Sequence, residues 1–149
     1  MTTPLAILET VLYAEDLDAA ERFYREVLGL PLVARNDRLF RFFRVGGAML
    51  LLFHPETARA SRDVPAHGAR GPGHVCFAVP ERELELWRRR LAEHRVAIEH
   101  EHRWPNGGRS LYVRDPAGNS VEFASPRIWG LPDPHPAPSP SHPQQPTPD

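Results

Sequence analysis

Residues 71–79 read Gly-Pro-Gly-His-Val-Cys-Phe-Ala-Val, and this stretch predicts a strand that starts at a histidine. The Gly-Pro-Gly segment is typical of a turn, and the β-branched and aromatic residues after it are typical of a strand. Residues 8–14 form a second such strand, with an ionisable residue, Glu9, near its start. An amphipathic helical pattern follows each strand directly. The chain therefore contains two copies of a strand–helix unit, each with a polar residue inside its strand.

The remaining elements extend both copies in the same order. In the first half the pattern predicts a strand over 5–14, a helix capped by Asp16 and ended by Gly29, and strands over 30–35, 38–45 and 48–53. A long connection, 54–72, follows. In the second half the sequence pattern predicts a strand over 74–79, a helix over 81–94, and strands over 96–102, 109–114 and 120–125. This repeated βαβββ order predicts an α+β fold, with modules at about residues 5–54 and 73–125 around a shared cleft.

Composition limits the classes of function. The chain has 149 residues and a formal net charge of −1, which fits one domain, expected over 1–127, and indicates no nucleic-acid partner. No apolar run is long enough to span a bilayer and no secretory leader is recognisable, so we expect no membrane partner. The single cysteine, Cys76, fits a reducing cytoplasm. Residues 128–149 are rich in proline, which predicts a disordered tail.

Three ionisable residues occupy corresponding places inside strands: Glu9, His74 and Glu122. Taken singly, a strand glutamate usually faces solvent and a strand histidine is usually a hydrogen-bonded core residue. A carboxylate that faces a sheet interior is costly unless it is paired or bound to a cation. Two carboxylates and one imidazole suit Zn, Mn, Fe, Co or Ni, with positions left for water or substrate. Because the three residues recur at equivalent places, we expect them to form one metal site.

Three further residues are candidates for lining the substrate cleft: Cys76, Trp104 and Arg109. Cys76 shares the strand face of His74, although a small core residue would be the more ordinary interpretation. Trp104 and Arg109 border the loop of the second half and could contact a planar or anionic substrate.

Other polar residues are expected on the surface. The consecutive arginines 88–90 predict the solvated face of the second helix, and His100 and His102 lie beside a loop, where a solvated histidine is the ordinary outcome.

Two sets of segments resemble the vicinal-oxygen-chelate superfamily, which includes glyoxalase I, extradiol dioxygenases, methylmalonyl-CoA epimerase, and fosfomycin- and bleomycin-resistance proteins. The first set is residues 9–17 with Phe23-Tyr24 and Leu28-Gly29; the second is residues 73–75 with 115–122, Asp-Pro-Ala-Gly-Asn-Ser-Val-Glu. The resemblance covers about residues 5–125. It implies an open, cupped, eight-stranded mixed sheet around one divalent metal ion (Fe, Mn, Ni, Co or Zn) that chelates vicinal oxygens of a small-molecule substrate.

The resemblance also implies roles for particular residues. His74 and Glu122 match two metal-ligand positions of the superfamily, and Glu9 stands where many members place a ligand histidine. Small members are commonly dimers whose sites combine residues of both chains. We therefore expect a homodimer, in which Glu9 and His74 of one site could come from different subunits.

Two functions are consistent with these features. The first is a metal-dependent lyase, isomerase or dioxygenase in which the metal acts as a Lewis acid and Glu9 and Glu122 are the catalytic carboxylates. The second is a non-catalytic protein that sequesters a drug-like molecule, as bleomycin-resistance proteins do. The set of Glu9, His74 and Glu122 favours the enzyme.

Overall fold

The computed structural model describes residues 2–134, and the repeated βαβββ order is confirmed there. The first module contains β1 (Glu9–Tyr13), α1 (Leu17–Arg22, continued by a π-helical turn over Phe23–Val27), β2 (Leu32–Asn36), β3 (Phe40–Val45) and β4 (Ala48–Phe53). A short helix, α2 (Pro55–Arg59), follows. The second module contains β5 (His74–Ala78), a 3₁₀ turn (Glu81–Glu83), α3 (Leu84–Glu93), β6 (His100–Arg103), β7 (Arg109–Arg114) and β8 (Ser120–Ala124), and a 3₁₀ turn (Pro126–Trp129) ends the described elements.

The eight strands form two four-stranded mixed sheets, with the orders β1-β4-β3-β2 and β5-β8-β7-β6. In each module the first strand pairs in parallel with the last, and the other pairings are antiparallel. The predicted α+β class with two equivalent modules is therefore confirmed, with the strands divided equally between two sheets.

The apolar core lies on the helix side of both sheets. Trp87 of α3 stacks on Phe123 at a ring-centre distance of 4.5 Å, and Tyr24 packs on Phe43 at 5.6 Å. Buried residues of both modules belong to one cluster. The opposite face of the second sheet is open, since His74, Cys76 and Ala78 of β5 are all exposed. We call this the open face of the second sheet.

A tight turn at residues 115–119, between β7 and β8, forms hydrogen bonds with the first module. The Tyr24 hydroxyl donates to Asp115 Oδ2 at 2.8 Å, and the buried Asn119 side chain donates to the Tyr13 carbonyl at 3.1 Å. Asn119 Oδ1 accepts from the Gly73 amide at 2.7 Å. The turn therefore fixes the start of β5 against the end of β1.

Element boundaries differ from the predictions at two places. β6 begins at His100 instead of residue 96, because the Val96 amide donates to the Leu91 carbonyl at 2.8 Å and Arg95 adopts a positive φ of 58°, which closes the helix. The connection 54–72 contains α2, with Pro55 in its first turn, where proline's missing amide costs nothing.

The predicted tail starts within ordered structure. Residues 128 and 129 belong to the 3₁₀ turn after β8, and Asn106 donates to the carbonyls of Arg127 and Ile128 there. Residues 135–149, most of the predicted tail, lie outside the described residues. Across residues 2–134, no helix is both long and apolar enough to cross a membrane.

Candidate functional site

A row of four side chains crosses the open face of the second sheet in direct register. Cys76 stands opposite Glu122, Glu122 opposite Tyr112, and Tyr112 opposite His100. Cross-strand partners share a face, and residues two apart on a strand also share it, so His74 lies on the same face. Two of the predicted ligands, His74 and Glu122, are thus brought together.

The His74–Glu122 pair has a defined orientation. His74 Nδ1 lies 3.1 Å from the Ser120 carbonyl, which can only accept, so Nδ1 donates and Nε2 is the ring nitrogen left for a proton or a metal ion. Nε2 lies 3.3 Å from Glu122 Oε2. The His74 side chain is 51% exposed and that of Glu122 is 7% exposed, which places the imidazole at the mouth of the site and the carboxylate at its base.

Glu122 has one unsatisfied oxygen. Its Oε1 is buried and has no hydrogen-bond partner among the described residues. Leaving a buried polar atom unpaired costs about 1–3 kcal/mol, and more when the group is charged. Oε1 of Glu122 is therefore an acceptor that suits a cation or a ligand that donates a hydrogen bond.

Cys76 and Tyr112 flank Glu122 as proton-carrying neighbours. Burial raises the pKa of the Cys76 thiol to about 12, and the charge of Glu122 adds to the effect. Burial, followed by Glu122, also raises the pKa of Tyr112. Both groups thus keep their protons at neutral pH.

The structure corrects the interpretation of Cys76 and adds Tyr112 to the site. The interpretation of Cys76 as a core residue is wrong, because Cys76 lies on the open face and is exposed. Tyr112 was missed by the sequence reasoning. The period-two alternation from Glu122 back through the turn into the preceding strand was the signal that could have found it.

Glu9 stands apart from this pair. It is exposed on β1, opposite Met49, and forms no hydrogen bond or ion pair with His74 or Glu122. Among residues 2–134, no three His, Cys, Asp or Glu side chains are grouped so that they could hold a metal ion. One chain therefore presents His74 and Glu122 together, and Glu9 separately.

The two predicted lining residues of the second loop lie on different sides of the sheet. Trp104 is half-buried, donates from Nε1 to Ser110 Oγ at 2.9 Å, and contacts the His102 ring at 4.5 Å, which puts it beside the open face. Arg109 alternates with Ser110 and so points to the helix side.

The first sheet carries an aromatic surface on the face of Val11 and Tyr13. Phe40 and Phe42 stack with ring centres 4.1 Å apart, and Phe53 packs against Phe42 at 5.2 Å. The Tyr13 hydroxyl is hydrogen-bonded to His67 Nδ1 at 2.7 Å. We call Phe40, Phe42 and Phe53 the aromatic wall.

Comparison with known proteins places these features in a family. A family model described as "Glyoxalase/Bleomycin resistance protein/Dioxygenase superfamily" matches residues 6–123. A solved structure of lactoylglutathione lyase from Agrobacterium tumefaciens is 48% identical, covers 87% of this chain and 100% of its own, and superimposes with a TM-score of 0.84.

More distant relatives agree with the fold. Catechol-2,3-dioxygenase of Bacillus subtilis (strain 168) is 29% identical over 113 residues, which are 74% of this chain but 38% of the relative, so the chain spans less than half of that protein's length. A glyoxalase/bleomycin resistance protein/dioxygenase from Nocardioides, 24% identical, shares the fold with a TM-score of 0.68 over 84% of this chain and 85% of its own.

Proposed function

The chain belongs to the glyoxalase/bleomycin resistance protein/dioxygenase superfamily, and on that premise we propose that it is a metal-dependent enzyme acting on a small substrate with adjacent oxygen atoms. Members of this superfamily typically use a divalent metal ion. The observation that carries the proposal is the buried Oε1 of Glu122, which has no hydrogen-bond partner among residues 2–134, beside an oriented imidazole.

The donor atoms of this pair fit a first-row divalent ion. His74 offers an Nε2 lone pair because Ser120 holds its Nδ1–H, and this kind of outer hydrogen bond is usual for metal-bound histidine. Glu122 offers Oε1, which no hydrogen-bond donor of residues 2–134 occupies. The set of imidazole and carboxylate suits Fe, Mn, Ni, Co or Zn. When bound, the ion would polarise substrate oxygens as a Lewis acid.

Glu9 is proposed as a ligand supplied by a second copy of the chain. Its side chain is exposed and separate from the pair on its own chain. The segment before it, residues 5–8, is apolar yet exposed, with Leu5 at 101% and Ile7 at 77% relative accessibility. We call this segment the N-terminal arm. Exposed apolar clusters mark interaction surfaces, which supports a homodimer in which this arm is covered.

The chain's other residues would bind and orient the substrate. The aromatic wall shares the sheet face of Glu9, so the copy that supplies Glu9 would also supply this apolar surface for the carbon skeleton. The Tyr112 hydroxyl and the Cys76 thiol stay protonated beside Glu122 and can donate hydrogen bonds to substrate oxygens. A Glu9 that does not bind the metal would be available as a general base.

Among reaction types, a glyoxalase-type lyase reaction is the one to assay first. The relative named lactoylglutathione lyase is 48% identical and matched along its whole length, whereas the catechol dioxygenase match covers 38% of that relative. Formation of lactoylglutathione from methylglyoxal and glutathione, and oxygen uptake with catechols, are the two assays.

The test compares metal-dependent turnover in wild type and Glu122→Gln. We expect chelator to abolish turnover, added metal to restore it in wild type, and no restoration in Glu122→Gln. Glu93→Gln is the matched control, since Glu93 is exposed at the end of α3. Full turnover of chelated protein, or of Glu122→Gln, would contradict the proposal.

The aromatic wall also supports a second candidate, a non-catalytic protein that sequesters a planar molecule. Half-buried, stacked phenylalanines on one face of a sheet would hold a flat ligand by ring stacking without any metal. Such a protein would purify metal-free, and chelator would leave its ligand affinity unchanged.

A further inference from the structure

We propose that His100 and His102 form a second transition-metal site at the rim of the open face, separate from the His74–Glu122 pair. The ligand class is a divalent ion of the Cu²⁺, Ni²⁺ or Zn²⁺ kind, held by two imidazoles. This inference does not depend on the proposed function.

The spacing of the two rings fits chelation. Residues two apart on a strand point to the same side, and the ring centres of His100 and His102 lie 6.0 Å apart, tilted by 30°. A bound ion lies about 2 Å from each imidazole nitrogen, so two ring centres that share one ion lie about 5–6 Å apart. A small rotation of the side chains therefore brings both nitrogens to one ion.

Both rings are held by neighbours yet keep their nitrogens free. His100 packs on Tyr112 at 5.9 Å, and His102 packs edge-on against Trp104 at 4.5 Å. Trp104 is itself fixed by its hydrogen bond to Ser110. Within residues 2–134, neither imidazole forms a hydrogen bond or an ion pair, and both residues are exposed. Rings positioned by packing lose less entropy on binding.

The surroundings suit two imidazole ligands with the remaining positions left to water or to an anionic ligand. β6 is an edge strand of its sheet, so ions reach it from solvent. The charged residues of β6, Glu101 and Arg103, alternate to the opposite face, where Glu101 pairs with Arg88. Imidazole pairs favour Cu²⁺ over the other divalent first-row ions.

The Tyr112 ring separates this site from the first one. It lies 6.5 Å from the His74 ring and 5.9 Å from the His100 ring. His74 and His100 also lie on β5 and β6, the two opposite edge strands of the sheet, so one ion does not bridge them and the two sites can be distinguished by mutation.

The test is a titration of untagged, full-length protein with Cu²⁺, followed by tryptophan fluorescence and calorimetry. Trp104 contacts His102, so a paramagnetic ion at the site should quench its emission. We expect quenching in wild type and in His74→Ala. Loss of one of two ligands in His102→Ala should raise the apparent Kd by roughly tenfold or more.

Further variants show which residues produce the fluorescence quenching and the calorimetric event. We expect His100→Ala/His102→Ala to lose both quenching and the corresponding calorimetric event, and Trp104→Phe to lose the quenching but keep the calorimetric event. His94→Ala, an exposed histidine after α3, is the matched control and should behave as wild type. Melting curves without metal check that each variant folds.

Two results would overturn the inference. One is quenching that disappears in His74→Ala, which would assign the ion to the first site. The other is quenching that persists in His100→Ala/His102→Ala, which would place the ion elsewhere. Neither result bears on turnover, so failure here is distinguishable from failure of the proposed function.

Discussion

At the scale of single residues, Glu122 determines the chemistry of the site. A glutamate on an exposed strand face would satisfy both oxygens with water, but β8 lies inside its sheet, between β5 and β7, and the carboxylate is buried there. His74 lies beside Oε2, and Oε1 has no hydrogen-bond partner in the described part of the chain. The charge of Glu122 therefore raises the pKa values of its neighbours Cys76 and Tyr112.

The Cys76 thiol is predicted to report that charge. Partial burial of the sulfur and the charge of Glu122 raise its pKa to about 12, so wild-type protein should react slowly with iodoacetamide near neutral pH although residue 76 as a whole is exposed. Glu122→Gln removes the charge, lowers the pKa of Cys76 and speeds alkylation, because each unit of pKa changes the thiolate fraction about tenfold.

Mass spectrometry over time measures the alkylation rate. Glu93→Gln serves as the control and should react as wild type. Equal rates in wild type and Glu122→Gln would show that the carboxylate does not govern the thiol.

Tyr24 is predicted to make the protein sensitive to alkali. Burial, followed by Asp115, raises the pKa of Tyr24 well above its ordinary value of 10.0. Its contribution to stability is complete below the pKa of the unfolded chain. Above that value the unfolded chain loses the proton more readily than the folded one. The free energy of unfolding then falls by about 1.4 kcal/mol per pH unit for this group, until the folded pKa is reached.

Urea unfolding at several pH values checks this prediction. Tyr24→Phe should be less stable at neutral pH by about 1–3 kcal/mol, because Asp115 loses a donor, and should show a shallower decline in alkali. A decline in Tyr24→Phe as steep as in wild type would contradict the assignment.

At the scale of elements, the turn at residues 115–119 is predicted to support the site. Asn119→Ala removes three side-chain hydrogen bonds, to Gly73, Tyr13 and Asp115, from a buried position. We expect a loss of roughly 2–4 kcal/mol in the free energy of unfolding.

Asn106→Ala is a matched control for Asn119→Ala. Asn106 also forms three side-chain hydrogen bonds, but it is exposed, so water can replace them. We expect a loss below about 1 kcal/mol. Equal losses in the two variants, measured by chemical denaturation, would refute burial as the cause.

Much of the element order could be predicted from the sequence, because periodicity, the Asp16 cap and the Gly29 stop are local signals. Asp16 does accept from the Ala19 amide at 2.8 Å, and Gly29 adopts a φ of 73°. Contacts between modules carry no local signal. Arg90 is exposed, as expected, but its guanidinium also donates to the Val27 carbonyl at the end of the first helical segment, which the sequence did not indicate.

The candidate site, too, could be predicted only in part from the sequence. His74 and Glu122 were visible in the sequence as ionisable residues inside strands, and the structure brings them together within the second module. The register makes Glu9 the first-module counterpart of His74, whereas the counterpart of Glu122 is Leu51. Strand pairing put Tyr112 beside Glu122, and alternation turned Arg109 away from the open face. The positions of Tyr112 and Arg109 cannot be predicted until the pairing register of the strands is known.

At the scale of the whole molecule, the separation of Glu9 from the His74–Glu122 pair leads to a prediction about subunits. If a homodimer shares its sites, Glu9→Gln and His74→Ala are each inactive alone. A mixed dimer, however, contains one site built from the intact Glu9 and the intact His74 of different chains. Mixing the two variants should restore about a quarter of wild-type activity for random exchange in a two-fold dimer.

Coexpression and activity assays measure the restoration, and sedimentation confirms the dimer. His74→Ala mixed with Glu122→Gln is the control and should restore nothing if these residues serve the same site from one chain. No restoration with Glu9→Gln would place all ligands on a single chain or exclude Glu9 from the set.

In the proposed enzyme, His74 and Glu122 together hold a divalent metal ion. The most direct measurement is elemental analysis of untagged protein after dialysis, in the His100→Ala/His102→Ala background so that only the first site is counted. We predict about one metal ion per chain in this background and none after His74→Ala or Glu122→Gln is added. Metal-free protein after supplementation, or metal retained in both variants, would contradict the claim.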